Sequence, residues 1–302
     1  MKVMKIRDYS LPAGWYPRDP LEVSKEVSRW GSREAKGFSL KNTGDSAFSR
    51  AAIAPHAGWY YSGRIAAEAV SSLEPEAETV AVLGGHLPAG YEPLFAMEDA
   101  VRTPFGHLPI DIELRSALIN ELGGEEDRYR DNTVEVLLPM VHHFFPRAKL
   151  LWIRLSAEMG SFKAGQIISK TAVELNRKIN VLASTDLTHY GRNYGFSPQG
   201  GGSDALRWVR EVNDANFIRA VKNGDAQQAL QCAERDRAAC SVGAVLGAMG
   251  FAQETGLGNA QLLDYATSAE REESKEVPDS FVGYAAMAFP INHLHASMTE
   301  KS

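Results

Sequence analysis

Three histidines stand where a short apolar run gives way to a turn. His56 opens a loop in APHAGWYYSG, residues 54–63, just after the run RAAIAP. His86 ends TVAVLGGH, and His189 lies in STDLTHYG, three residues after Asp186 and just beyond INVLAST. Imidazole at such a place can ligate a metal, carry a proton or plug a loop with a hydrogen bond. One histidine of this kind means little. Three at the ends of separate parallel strands form a constellation, because open α/β sheets bind ligands beyond the carboxyl ends of their strands. Two neutral imidazoles suit iron, copper or zinc. A catalytic metal site usually has three protein ligands and an open position.

Two residues compete to be the third ligand. Cys240 opens a stretch of small residues, AACSVGAVLGAMG, and a helix N-terminus there would lower the thiol pKa toward the thiolate that metals prefer. Glu135, in DNTVEVLLP, is the rival, or else a carboxylate hydrogen-bonded behind a ligand histidine. Each has a plainer reading. Cys240 can be a small buried apolar residue. Asp186 can cap a helix starting near Leu187. His189 is then left as general acid or base, since its unperturbed pKa of about 6.5 suits proton transfer near neutrality. Asp186 would fix its tautomer or raise its pKa. Trp59, Tyr60 and Tyr61 would wall the pocket with aromatic rings. Of the other histidines, His107 reads as a loop residue and His142 and His143 as packing or surface groups on an apolar helix. His293 and His295 lie in the tail. Cys232 reads as structural.

The elements that must position these groups alternate. Apolar, β-branched runs at 50–55, 79–85, 149–155 and 179–185 read as strands. Helical stretches fall at 64–73, 111–122, 134–145, 161–178 and 238–255, with Pro139 inside or bounding the third. Leu114, Leu118, Ile119 and Leu122 share one face of the second. Two more helices follow the GGGS turn at 200–203, and QLLDYAT and FVGYAAMAF are late strands. This order predicts an α/β fold, a single domain with a largely parallel central sheet flanked by helices. No composition break divides residues 1–302, and 34–48 is a polar, turn-rich loop. The chain is 44% hydrophobic and 23% charged, with a net charge of −6. That balance argues against a nucleic-acid partner. No run approaches the roughly 20 apolar residues of a membrane span, and the N-terminus lacks the apolar core of a signal peptide, so a cytoplasmic location is expected. Two cysteines make no disulfide framework.

The motifs GWYPRDPLEV, APHAGWYYSG, VLGGHLPAG, TPFGHLPID, DNTVEVLLPMV, STDLTHYG and ACSVGAVL follow one another in this order. In this they resemble the Memo-like family, whose bacterial and archaeal members are called AmmeMemoRadiSam system protein B. The resemblance runs from about Gly14 to Phe289 and leaves a short C-terminal tail. It implies a fold similar to class III extradiol dioxygenases, with a site at the sheet edge. It also implies a metal, iron or copper, between two histidines and a cysteine that fall on His56, His86 and Cys240. The acid/base histidine falls on His189, preceded by Asp186. The preference for Cys240 over Glu135 rests on this resemblance. Two positions depart from the family pattern. Asn132 stands where a histidine is usual, although Glu135 is kept, and Ser241 stands where glycine commonly follows the cysteine.

The activity implied is a dioxygenase-like, metal-dependent oxidoreductase acting on a small or modified substrate. Ring-opening dioxygenation itself is disfavoured, because a thiolate replaces the dioxygenases' carboxylate and is a softer ligand. Two alternatives belong to other classes. One is a binding module for a phosphopeptide or small-molecule ligand. The other is an accessory protein that delivers metal or substrate to a radical SAM and an AMMECR-type partner.

Overall fold

The structure is a computed structural model that describes residues 3–30, 48–271 and 276–292. The polar stretch 34–48, apart from Phe48, and the tail histidines His293 and His295 lie outside the described residues.

The chain begins with β1 (Ile6–Arg7) and α1 (Pro20–Trp30), then enters the core through β2 (Ser49–Ala54), α2 (Trp59–Ser71) and β3 (Thr79–Leu87). Short strands β4 (Leu94–Phe95), β5 (Ala100–Thr103) and β6 (Gly106–Pro109) lead to α3 (Ile112–Leu122) and β7 (Glu125–Glu126). The helical segment expected at 134–145 is two pieces, α4 (Asn132–Glu135) and α5 (Leu138–Phe144), with Pro139 in the first turn of the second. Proline is tolerated there because that N–H has no helical partner to lose. Next come β8 (Lys149–Ser156), α6 (Gly160–Glu174), β9 (Ile179–Ser184) and β10 (His189–Gly191). The last third holds α7 (Gly202–Trp208), α8 (Asp214–Lys222), α9 (Ala226–Asp236), α10 (Val242–Thr255), β11 (Gln261–Thr267) and β12 (Ser280–Pro290).

The main sheet runs β10-β12-β2-β9-β3-β8-β4-β7, with β11 paired to β12. Its centre, β2-β9-β3-β8, is parallel, as continuous apolar runs such as TVAVL and INVLA require of strands buried on both faces. Its flanks are antiparallel, so the sheet is mixed: β12 meets β2, β10 and β11 that way, and β4 meets β8. A second small sheet, β1-β5-β6, holds His107 on β6, exposed; the loop expected there is a strand.

Two apolar layers cover the main sheet and make it one α/β domain. One layer carries α6 and α10, with Leu83, Leu155, Ile168 and Phe251 at its heart. The other carries α1, α2 and α5, with Val23, Ile65, Val82 and Met140. Helix α10 is buried from Val242 to Ala252, which explains its lack of a polar face. Its backbone lies directly on α6, and a Cβ at Gly165 would collide with the Gly247 carbonyl. Cys232 is buried in α9 and belongs to the first layer. His142 bonds Thr103 Oγ1 at 2.6 Å, and His143 lies 3.5 Å from Ser24 Oγ, so both histidines of α5 are packing groups. Among the described residues no helix is long and apolar enough to cross a membrane.

Candidate metal centre

The parallel register of β2 and β9 pairs Ala54 with Ser184, so the chain leaving each strand enters the same space. His56 lies two residues beyond β2 and is 1% exposed. Its backbone N–H donates to Asp186 Oδ1 at 2.7 Å. Its Nδ1 shares a hydrogen bond with Ser184 Oγ at 2.9 Å, and its Nε2 faces Cys240 Sγ at 3.2 Å.

His86 is built differently. The β3–β8 ladder breaks between Gly84 and Leu87, and His86 has φ +56°, a left-handed backbone rarely adopted outside glycine. This kink turns the ring toward His56, edge-to-face with centroids 4.9 Å apart. Its Nδ1 lies 2.9 Å from Asp131 Oδ2, which leaves the other ring nitrogen for the cluster.

Cys240 does not open a helix: α10 begins two residues later, at Val242. The Cys240 backbone N–H donates to the Asp186 carbonyl at 3.2 Å, and the Ser241 N–H donates to Thr185 Oγ1 at 3.1 Å. The thiol is thus tied to the same loop as Asp186. Ser241 packs against Gly85, where a Cβ would strike its side chain, so the serine is accommodated by the glycine beside His86. One ligand atom each from His56, His86 and Cys240 lies within 4.8 Å of the others.

Asp186 starts no helix, because the chain after it turns to pair with β12. Its Oδ2 stands between two imidazoles, 3.9 Å from His56 Nε2 and 3.8 Å from His189 Nε2. His189 stacks on Tyr194, with centroids 4.9 Å apart and planes at 27°. Burial would discharge these groups, but their mutual attraction outweighs it. Burial raises the Asp186 carboxyl pKa, yet His56 and His189 hold it below its usual value. Burial disfavours the imidazolium of His56, yet Cys240 and Asp186 raise its pKa. His189 is raised against burial by Asp186 and Cys240. His86 is pushed up to about 10: burial opposes this, and the bond to Asp131 and the Cys240 sulfur override it. The Cys240 thiol, which burial would raise, is drawn well below its usual value by His56 and His86. Each shift acts in the same sense, toward a thiolate on Cys240 and protons on the imidazoles beside it.

His56, His86, Asp186 and His189 floor a cavity of about 760 Å³ whose walls include Trp15, Tyr61, Asn132, Asn193, Tyr194 and Tyr284. Asn132 Nδ2 donates to the His56 carbonyl at 2.9 Å, so the residue at the departing position steadies the backbone of a candidate ligand. A smaller hollow of about 310 Å³ reaches Cys240 from the other side of His189 and Tyr194.

Three sequence expectations are corrected here. Glu135 is neither a third ligand nor a support for a ligand histidine. Its carboxylate accepts from Ser10 N–H at 2.8 Å, Ser10 Oγ–H, Leu11 N–H at 3.2 Å and Tyr16 O–H at 2.8 Å, and so is saturated by the N-terminal segment. Tyr60 is 65% exposed and lines a neighbouring groove with Arg64, not the pocket. Trp59 is buried, with its indole N–H on the Val136 carbonyl at 2.9 Å. Helical rotation of about 100° per residue separates the three rings, and Tyr61 alone of them reaches the cavity. Residues that sequence reasoning missed are Ser184, Asp131 and Arg154. Ser184 and Asp131 lie inside quoted motifs, but only the fold shows that they hold the Nδ1 atoms of His56 and His86.

Comparison with known proteins agrees with the sequence motifs. The family model described as "Memo-like protein" matches residues 7–288. A MEMO1 family protein of Methanopyrus kandleri is 27% identical over 295 residues, covering 94% of this chain and 98% of its own. A MEMO1 family protein of Pyrococcus abyssi is 28% identical over 263 residues, covering 82% of this chain and 89% of its own. Among solved structures, an uncharacterized protein from Escherichia coli K12 superposes with a TM-score of 0.46 at 11% identity, over 80% of this chain and 99% of its own. With a match that spans nearly its whole length, the chain belongs to the Memo-like family.

Proposed function

We propose that the protein is a metal-dependent redox enzyme. His56, His86 and Cys240 hold a single iron, with copper as the alternative, and His189 moves a proton beside it with the help of Asp186. The observation that carries this reading is the convergence of three donor atoms within 4.8 Å, with both histidines tethered through Nδ1. The donor set fits a first-row metal: two imidazoles and a thiolate are ligands that iron, copper and zinc accept. A metal bound there would supply Lewis acidity and one-electron chemistry.

The remaining roles fall to the chain. His56 is fixed by the sheet end and His86 by its carboxylate, so the donors are presented without much side-chain entropy to lose. Asp186 holds one oxygen toward His56 and the same oxygen toward His189, and keeps the His189 ring aimed into the cavity. His189 gives or takes the proton, and Tyr194 covers the face of its ring. The 760 Å³ cavity admits a small molecule or the end of a larger one. A phosphopeptide clasp finds less support, because no arginine or lysine is among the described residues lining this cavity.

The test is metal content. Protein purified without air and without a histidine tag is analysed by mass spectrometry beside the double variant His56→Ala/His86→Ala. Near-stoichiometric iron or copper in the parent and its loss in the variant is the expected result. Absence from both after reconstitution would overturn the reading. Metal bound without turnover on any oxidisable substrate, together with a stable complex with a radical SAM or AMMECR-type protein, would instead favour delivery to that partner.

A further inference from the structure

The two candidate histidine ligands are held in unlike ways. His56 has a backbone anchor on Asp186, a side-chain anchor on Ser184, and almost no exposure. The His86 side chain is 32% exposed and sits where strand pairing has broken. Nothing in the ladder fixes its ring. What meets it is a chain of polar groups from a different part of the fold.

Asp131 Oδ2 lies 2.9 Å from His86 Nδ1. The other carboxylate oxygen, Oδ1, accepts from Thr133 N–H at 2.8 Å and from the Thr133 hydroxyl, so the carboxylate cannot swing. Arg154 on β8 is 3% exposed and lies behind it. Its Nη2 is 3.3 Å from Asp131 Oδ2, and its Nε donates to the Gly85 carbonyl at 3.0 Å. One guanidinium thus holds both the carboxylate that touches the His86 ring and the peptide just before His86. Arg154 is itself fixed by Asp127, 3.2 Å from Nη1, and Asp127 accepts from the Trp152 indole N–H at 2.8 Å. Such a guanidinium fork, with its donors in a rigid plane, suits a site that must set direction as well as charge.

We propose that Asp131, clamped by Arg154, is the positioning residue of His86, fixing its ring so that the nitrogen away from Asp131 faces Cys240 and His56. The proposal rests on the metal reading above for its consequence and on geometry for its substance. A carboxylate bonded to the far nitrogen of a ligand histidine fixes both tautomer and ring orientation, and losing it typically weakens metal binding 10–100-fold.

Asp131 also caps α4 through Thr133, so a structural role has to be separated from a positioning one. Three substitutions do this. Asp131→Asn keeps the cap through its one carbonyl oxygen and turns an amide N–H, a donor, toward the ring. Asp131→Ser keeps the cap but is too short to reach His86. Asp131→Ala keeps neither. The first readout uses metal-free protein labelled with ¹⁵N-histidine: the Nδ1 proton of His86, assigned by its absence in His86→Gln, is expected to be protected from exchange in the parent. That protection should be lost in Asp131→Asn, Asp131→Ser and Asp131→Ala. The second readout is calorimetric affinity for zinc ion, expected to fall about 10–100-fold in all three variants, the cap-keeping Asn and Ser included. A Ser variant with a parental His86 resonance and parental affinity would overturn the proposal and leave Asp131 a helix cap. If the parent itself binds no metal, the metal reading fails, and the resonance alone still decides whether Asp131 orients His86.

Discussion

Asp186 and Glu135 are both 3% exposed, both are carboxylates, and both lie in motifs shared with the Memo-like family. Yet one sits beside the candidate metal cluster and the other is a clamp. Glu135 gathers fixed donors: two backbone N–H groups, a serine hydroxyl, the Tyr16 phenol and, at 3.7 Å, Arg18. Nothing is left over. The side-chain neighbours of Asp186 are two imidazoles, groups that can change protonation. Burial does not distinguish a structural carboxylate from a working one; the chemistry of its partners does.

The largest effect expected is on the clamp. Glu135→Ala strands two backbone N–H groups and the Tyr16 hydroxyl, while Arg18 keeps its bond to the Leu11 carbonyl at 2.8 Å. Each buried donor left without its acceptor costs about 1–3 kcal/mol, and urea unfolding will read their sum. Metal affinity below the unfolding midpoint should stay parental, because no donor atom of the cluster touches Glu135. Full stability with lost metal would reverse the comparison.

Asp214 sharpens it as a third buried carboxylate whose partners are neutral. A π turn at Val209–Asn213 brings two consecutive side chains onto the loop before His189. Asn213 Nδ2 donates to Thr188 Oγ1 at 2.9 Å, and Asp214 Oδ1 accepts from Thr188 N–H at 3.1 Å. Tyr265 O–H donates to Asp214 Oδ2 at 2.7 Å. With no cation paired to it, burial wins over these hydrogen bonds and pushes the carboxyl up to about 6, from 3.8. The fold therefore binds a proton that the unfolded chain has already released. Its contribution to stability is full below pH 4, falls as pH rises to about 6 and is gone above. A shift of about two units corresponds to roughly 3 kcal/mol. The stability difference between the parent and Asp214→Asn should change by about that amount between pH 4 and pH 7, to the parent's disadvantage at pH 7. A pH-independent difference would show that Asp214 is ionised in the fold.

How much of this was legible in the chain follows from the range of the forces involved. The central strands were readable because burial on both faces leaves runs such as TVAVL and INVLA without polar interruption. His56 and His86 were readable as strand-end residues for the same reason. The mixed flanks were not, since β12 folds back on β2 from more than 200 residues away. The choice between Cys240 and Glu135 was not readable from spacing either. It turns on donors at Ser10, Leu11 and Tyr16, which lie 119 to 125 residues from Glu135. Only the resemblance separated them in advance. The Trp59-Tyr60-Tyr61 run looked like one wall because the start of α2 was set too late, at Arg64; begun at Trp59, the helix sends the three rings in different directions.

Two milder substitutions separate the roles of the carboxylates without breaking the fold. Tyr16→Phe removes one of several donors to Glu135, and a hydrogen bond to a charged group is worth about 2 kcal/mol; the loss should appear in urea unfolding alone. Asp186→Asn should cost still less, about 1 kcal/mol, because the amide oxygen can still accept the His56 N–H that now lies 2.7 Å from Oδ1. What it removes is the negative charge that raises His189. The midpoint of His189, followed by NMR in metal-free protein, should therefore fall from its raised position, with the imidazolium lost at lower pH than in the parent. The sign is fixed by the charge: without the carboxylate, burial acts on the imidazolium with less to oppose it. An unmoved midpoint would mean that Asp186 only braces the His56 backbone, and would place it with Glu135 among the clamps.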